Sequence, residues 1–452
     1  MKNKIYNKIV GAALTALLLG GVVACKKEGK FFTKDINQDP NQLTTVKPDV
    51  LLAPAELALA YVQNGDFSRY TGVFTQQYTG AYRQFASYDN YTFNSADFGN
   101  PWNSMYTTCM NNLNQVITIS EAKGYKNYAG VGKVLMAYSI TLCADMWGDV
   151  PYSEAFKGID NLQPKYDTQK DIYTAALKLC DDAITEMGAT GTSAGAVVPG
   201  AEDLIYGGDM TNWMAFAHGL KARLYLHQAK FDATAITKGL AEVTAAAGLV
   251  DAGVPFAAAS YGNPWFQYES ERADITFLGS NAYNMMIAKN DPRIDAMIDT
   301  VNDAPGFFIA DAAAPVYLIN TTELSFIEAE LQARKGAAPA AATAYDAAVT
   351  ASFALAGHAG EETAYLTAHP YPSAGTAAAQ LQAIIEEKYI AMYASPEVFN
   401  DWRRTGFPVL TPKNGSSIPR RFLYPDSEEQ YNSANMATGT TNNLYAKVWW
   451  DQ

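Results

Sequence analysis

The stretch VGKVLMAYSITLCADMWGDVP, residues 131–151, decides the fold. Val131, Val134, Leu135, Tyr138 and Leu142 recur at three- and four-residue steps, the spacing that places side chains on one face of an α-helix. Asp149-Val150-Pro151 then ends that helix, because a residue before proline is pushed out of the helical region. Asp145, Trp147 and Tyr152 are placed to knit the exit turn into a core.

The same period recurs on both sides. Ile172, Ala176, Leu179, Cys180, Ala183, Ile184 and Met187 form a second stripe, opened by Thr168 and Asp171 as a capping box and closed at Gly188. Residues 211–229, 323–335 and 377–394 read as further amphipathic helices, the last on Leu381, Ile384, Ile385 and Met392. The alanine-heavy residues 336–357 favour helix as well. Trp213, Ala217, Leu220 and Tyr225 fit a tetratricopeptide first helix loosely, and residues 324–350 suggest another helix–turn–helix. Between these helices, residues 79–101, 188–210, 250–275, 300–320 and 405–445 are rich in Gly, Asn, Ser, Thr, Pro and aromatics. Connections of that length are uncommon unless they carry function. The expectation is a mainly α fold of tetratricopeptide-like hairpins with long irregular loop insertions.

The start of the chain has a different logic. Lys2, Lys4 and Lys8 precede an uncharged run from Val10 to Ala24, too short to span a bilayer as a helix. Val22-Val23-Ala24-Cys25 sets small residues before a cysteine, as in a bacterial lipoprotein signal. Residues 1–24 are therefore expected to be a removed leader, residues 25–45 a tether lipidated at Cys25, and residues 46–452 a single domain. Hydrophobic residues make up 48% of the chain and charged residues 17%, which fits a buried core. The formal net charge of −13 excludes the basic stripe of a nucleic-acid binder. It also gives no attraction to an anionic membrane, so the lipid must anchor. Cys109, Cys143 and Cys180 are the remaining cysteines; Cys143 and Cys180 fall on apolar helical positions that suit buried thiols. The four histidines form no cluster with metal-ligand spacing, so no zinc site or other cofactor is expected, and a structural calcium is left open.

Asp145 to Ala155, Asp203 to Asp209 leading into Trp213 and Arg223, Asn290-Asp291-Pro292-Arg293, Glu328-Ala329-Glu330, Glu387 to Ala391, Asp401 to Pro408, Ile418 to Arg421, and Tyr424-Pro425 stand out along the chain. Together these stretches resemble the SusD/RagB family of outer-membrane nutrient-binding lipoproteins of Bacteroidota, in its SusD-like branch. Their order and spread cover nearly the whole chain after the leader. The resemblance implies a tetratricopeptide-like scaffold on the cell surface. It would capture an oligosaccharide, or a peptide, and pass it to a SusC-like TonB-dependent transporter. The stretch after Cys25, Lys-Lys-Glu-Gly-Lys, is less acidic than a typical surface-export signal.

Candidate ligand contacts come from ring density in the loops, not from the family. With 28 Tyr, 20 Phe and 7 Trp, the chain has many flat apolar faces that could stack on a sugar. One loop holds Tyr78, Tyr82, Arg83, Phe85, Tyr88 and Tyr91; the other holds Trp265, Phe266 and Tyr268. The 78/82/85 spacing is also a helical stripe, so Trp265, after Asn263-Pro264, is the favoured contact. Asp401, Arg403 and Arg404 beside Trp402 read as a structural ion-pair cluster rather than an anion grip. Catalysis finds little support. Gly191-Thr192-Ser193-Ala194-Gly195 matches a nucleophile elbow but lacks the strand before it and the helix after it. Glu269 and Glu271 are the one acidic pair placed to suit a surface hydrolase. A scaffold that binds only proteins is the other alternative.

Overall fold

The computed structural model describes residues 46–189, 197–257, 262–436 and 442–452. The leader, the tether with Cys25, and the Gly191–Gly195 motif lie outside the described residues. The main helices are α1 (Asp49–Val62), α2 (Ser68–Phe74), α3 (Arg83–Asp89), α4 (Asn111–Lys123), α5 (Lys126–Trp147), α6 (Gln169–Met187), α7 (Met210–Gln228) and α8 (Ala233–Ala245). They continue as α9 (Pro264–Glu271), α10 (Thr321–Arg334), α11 (Ala338–Leu355), α12 (Ala377–Ala391) and α13 (Glu397–Thr405), with shorter helices between. Strands among the described residues are two-residue bridges in antiparallel pairs. They include Thr79–Gly80 with Ile275–Thr276, and Val150–Pro151 with Tyr166–Asp167.

Helices α5 and α6, α7 and α8, and α10 and α11 pack as pairs. The last two pairs have short connections, which make neighbours antiparallel. This is the helical-hairpin scaffold that the periodicity predicts. The helix that opened the sequence reading goes further than its stripe. α5 is buried all round from Tyr128 to Trp147, so it is the central rod of the core rather than an amphipathic cover. Its polar residues are matched accordingly. Lys133 reaches Glu121 and Glu186, each at 2.7 Å, and the Thr141 hydroxyl donates to the Ala137 carbonyl at 2.7 Å.

The exit turn is knitted in as the sequence predicts. Gly148 takes a φ of +87°, a conformation that favours glycine, and the Trp147 indole donates to Leu423 O at 2.8 Å. The Asp145 carboxylate accepts from Tyr173 at 2.6 Å and Trp450 at 2.9 Å. The cap of α6 is simpler than a full box. Thr168 Oγ accepts the Asp171 N–H at 3.1 Å and its hydroxyl donates to the Asp171 carboxylate at 2.7 Å. Cys109, Cys143 and Cys180 are buried free thiols.

Charged side chains hold helices far apart in sequence. Arg223 on α7 grips Glu323 on α10 with two bonds of 2.6 Å, and His227 meets Glu397 of α13 at 2.6 Å. Arg404 forks onto Glu330 at 2.7 and 2.9 Å. Arg403 donates to Asp145 O at 2.8 Å and Arg420 O at 2.7 Å, between the rings of Phe399 and Trp450. The double arginine is thus internal, as its structural reading requires. Removing one member of such a buried pair costs about 3–5 kcal/mol, because the other charge is stranded.

Candidate functional site

The two aromatic loops meet, and α9 is where they do. Thr79–Gly80 pairs with Ile275–Thr276, the rings of Phe85 and Tyr268 pack edge-on at 5.4 Å, and Arg83 Nε donates to Asp274 at 2.5 Å. Neither loop is as irregular as its composition suggests, since α3 and α9 lie within them. The N-terminus of α9 is well fixed. Asn263 accepts the Trp265 N–H at 2.8 Å, donates to Ala314 O at 3.0 Å, and precedes a proline in the first turn.

This anchoring settles which rings face inward. Trp265 and Tyr78 are fully buried, and Tyr88 and Tyr268 are nearly so. The Trp265 ring lies edge-on to Tyr78 at 5.1 Å, and Tyr88 stacks on Phe93 at 4.1 Å. The expectation of a surface-facing Trp265 is corrected: its position in the first turn of α9 points it at α2 and the core. Tyr82, Arg83 and Phe266 are exposed. Arg83 and Arg272 share Asp274, whose carboxylate is buried between them.

Beside α9 lies a cleft of about 340 Å3, walled by Pro54, Leu57, Ala58 and Tyr61 of α1 together with Phe256, Gly262 and Gln267. Its walls are chiefly apolar, with a few polar groups at the edge, the composition of a small-molecule site. Tyr61 is half exposed, and its hydroxyl donates to Gln267 Oε1 at 3.3 Å; Gln267 Nε2 donates to Gly262 O at 2.6 Å. A wide π-helical turn, Gln63–Phe67, joins α1 to α2 and breaks helical geometry at Gly65. It brings Asn64 to 3.4 Å from the Asn263 side chain, so α1 and the start of α9 are set against each other. Such turns are over-represented at functional sites. Tyr61, Phe256 and Gln267 were not singled out by sequence, because an exposed ring in an apolar helix carries no signal of its own.

Glu269 and Glu271 lie on different faces of α9. Two positions apart on α9, they project about 200° from each other. Burial pushes the Glu269 carboxyl up to about 7, against the pull of Arg69, and its Oε1 is buried without a partner. Glu271 is exposed. Among the described residues, no cluster of three or more His, Cys, Asp or Glu is arranged to hold a metal ion, and no helix is long and apolar enough to cross a membrane.

Comparison with known proteins agrees with this architecture. A SusD-like family model, described as "Starch-binding associating with outer membrane", matches residues 40–309 and 304–425. A SusD/RagB family protein from Bacteroides thetaiotaomicron is similar at 25% identity and a TM-score of 0.73, over 90% of this chain and 99% of that one. A chitin-binding SusD homolog from Flavobacterium johnsoniae is similar at 24% identity and a TM-score of 0.72, over 89% of this chain and 96% of that one. A SusD homolog from Bacteroides uniformis shares the fold at 22% identity and a TM-score of 0.71, over 89% and 99%. No curated protein matches. With most of its length matched by the family model and its helical scaffold shared with solved members, the chain belongs to the SusD-like family.

Proposed function

We propose that this protein captures an oligosaccharide at the outer membrane and hands it to a SusC-like TonB-dependent transporter, held nearby by an acyl anchor on Cys25. The observation that carries this reading is the apolar cleft beside α9, rimmed by Tyr61 and Phe256 and edged by the Gln267 amide, with the exposed Phe266 ring beside Gly262 of its wall. Sugar C–H faces stack on such rings while hydroxyls bond to amides. The family's starch-binding description and a chitin-binding relative support a glycan over a peptide. The protein acts as a binder rather than a catalyst, and the divergence of Glu269 and Glu271 supports that. A lipid tether would hold it at high effective concentration beside its transporter. The test is calorimetric titration with starch and chitin oligomers of graded length, with the recovered sugar sized afterwards. Saturable binding with intact oligomers supports the proposal. Shortened oligomers, or no affinity for any glycan, would sink it.

A further inference from the structure

A second cavity, of about 270 Å3, shares no lining residue with the cleft beside α9. It lies where the first turn of α6 meets the C-terminal segment, and Arg421 and Tyr424 form part of its wall. Arg421 is only 3% exposed. Its Nε donates to Phe422 O at 3.2 Å, whereas Nη2 is buried with no partner. No carboxylate among the described residues forms an ion pair with it. Arg403 also lacks a carboxylate partner, but it places both Nη groups on main-chain or amide oxygens. Arg421 has no such outlet. Its guanidinium lies 4.5 Å over the Tyr424 ring, and Nη1 stands 3.8 Å from where a Cβ on Gly148 would sit. Gly148 also lines the cavity, so the space beside that nitrogen stays open.

The start of α6 lines the same cavity through Thr168, Gln169 and Lys170. Asp149 accepts the Gln169 N–H at 2.8 Å and Thr168 accepts that of Asp171 at 3.1 Å. The Lys170 N–H finds no acceptor among the described residues. A 19-residue helix concentrates partial positive charge at such an end. Lys170 and Lys447 add two exposed ammonium groups to the lining. Against these stands Asp149, whose carboxyl is raised by burial against the pull of the Gln169 N–H and of Arg421. Gln452, also in the wall, has its main-chain oxygen taken by Lys230 at 2.9 Å. The lining side chains are net positive in a chain whose formal charge is −13.

We infer that this cavity binds an oxyanion, a phosphate or sulfate group, either free or carried on a sugar-sized ligand. Arg421 Nη1, the first turn of α6 and two ammonium groups offer donors to several oxygens at once, which suits a tetrahedral group. The oxyanion would add counter-charge at Arg421, with which the neighbouring Asp149 makes no direct ion pair.

Calorimetric titration of the purified protein tests this with sodium phosphate, sodium sulfate, glucose 6-phosphate and glucose 6-sulfate, against sodium chloride at matched ionic strength. The expected result is one saturable site per chain, weakened at least tenfold by the double change Lys170→Ala with Lys447→Ala. Arg421→Gln is expected to abolish binding. Because Arg421 is buried, its variant is followed by thermal melting, while the exposed lysines give a test that does not depend on the fold. Tighter binding of the esters assigns a ligand-borne group; equal affinity assigns the free ion. No saturable heat from any of the four, or affinity untouched by the double lysine change, overturns the inference.

Discussion

The indole N–H of Trp265 on α9 donates to the hydroxyl of Ser68 on α2, 3.0 Å away and shut off from solvent. The same hydroxyl donates to Ala394 O at 2.5 Å, so one serine joins three segments far apart in sequence. Trp265→Ala therefore removes packing and leaves a cavity, and is expected to cost about 3–5 kcal/mol of stability. Urea unfolding measures it. The sequence alone predicts the reverse, a surface ring whose loss spares the fold, and an unchanged urea midpoint would restore that view.

The exposed rings carry the opposite expectation. Tyr61→Ala and Phe266→Ala should each weaken binding of the best glycan at least tenfold, since stacked aromatics dominate such contacts. Their thermal midpoints should stay within a few degrees of the parent. Glycan titration beside a melting curve separates the two effects. Undiminished affinity in both variants would move the site away from α9.

Glu269 gives a signature in pH. Its carboxyl is raised to about 7 by burial, above its ordinary unfolded value of about 4.3. Between those values the folded chain holds a proton that the unfolded chain has lost, so stability falls as pH rises through this window. Glu269→Gln removes that dependence. The variant should melt higher than the parent at pH 8 and match it near pH 4. A difference that stays constant across this range would rule out the buried titration.

Glu387 should behave in the other sense. Burial alone would raise its carboxyl, but Arg293 and Lys289 hold it down to about 2. Lys289 lies 2.7 Å away, and Arg293 contacts its other oxygen. A depressed carboxyl stabilises fully above its unfolded value of about 4.3, and the gain disappears as pH falls through 2. Glu387→Gln should cost about 3–5 kcal/mol at pH 7 and progressively less below pH 4. Chemical unfolding at pH 7 and pH 2.5 checks the trend.

The helices were legible because burial against neighbours writes a period of three to four into the sequence, as it does over residues 131–142 and 172–187. Motifs such as Asp401 to Pro408 identified the family for a related reason: their arginines are locked into internal hydrogen bonds. The facing of the loop rings was not legible. Trp265 and Phe266 are adjacent, yet about 100° of helix rotation puts one in the core and the other in solvent. Ring density marked two loops that converge on α9, but it could not say which of their rings pointed out. Tyr61 escaped notice because nothing local distinguishes a ring at a cleft rim from one in an apolar stripe.

The clamps that tie α13 back to α7 and α10 bear on how the polypeptide comes to be folded. Glu330 and Arg404 are separated by 74 positions, and His227 and Glu397 by 170. An open solenoid can grow repeat by repeat from either end. Here a nascent chain that has emerged only as far as α12 still lacks Arg404 and Glu397, which hold Glu330 and His227 in the finished fold. The final hairpins must arrive before the early ones can close, so the unit should assemble as a whole rather than in instalments.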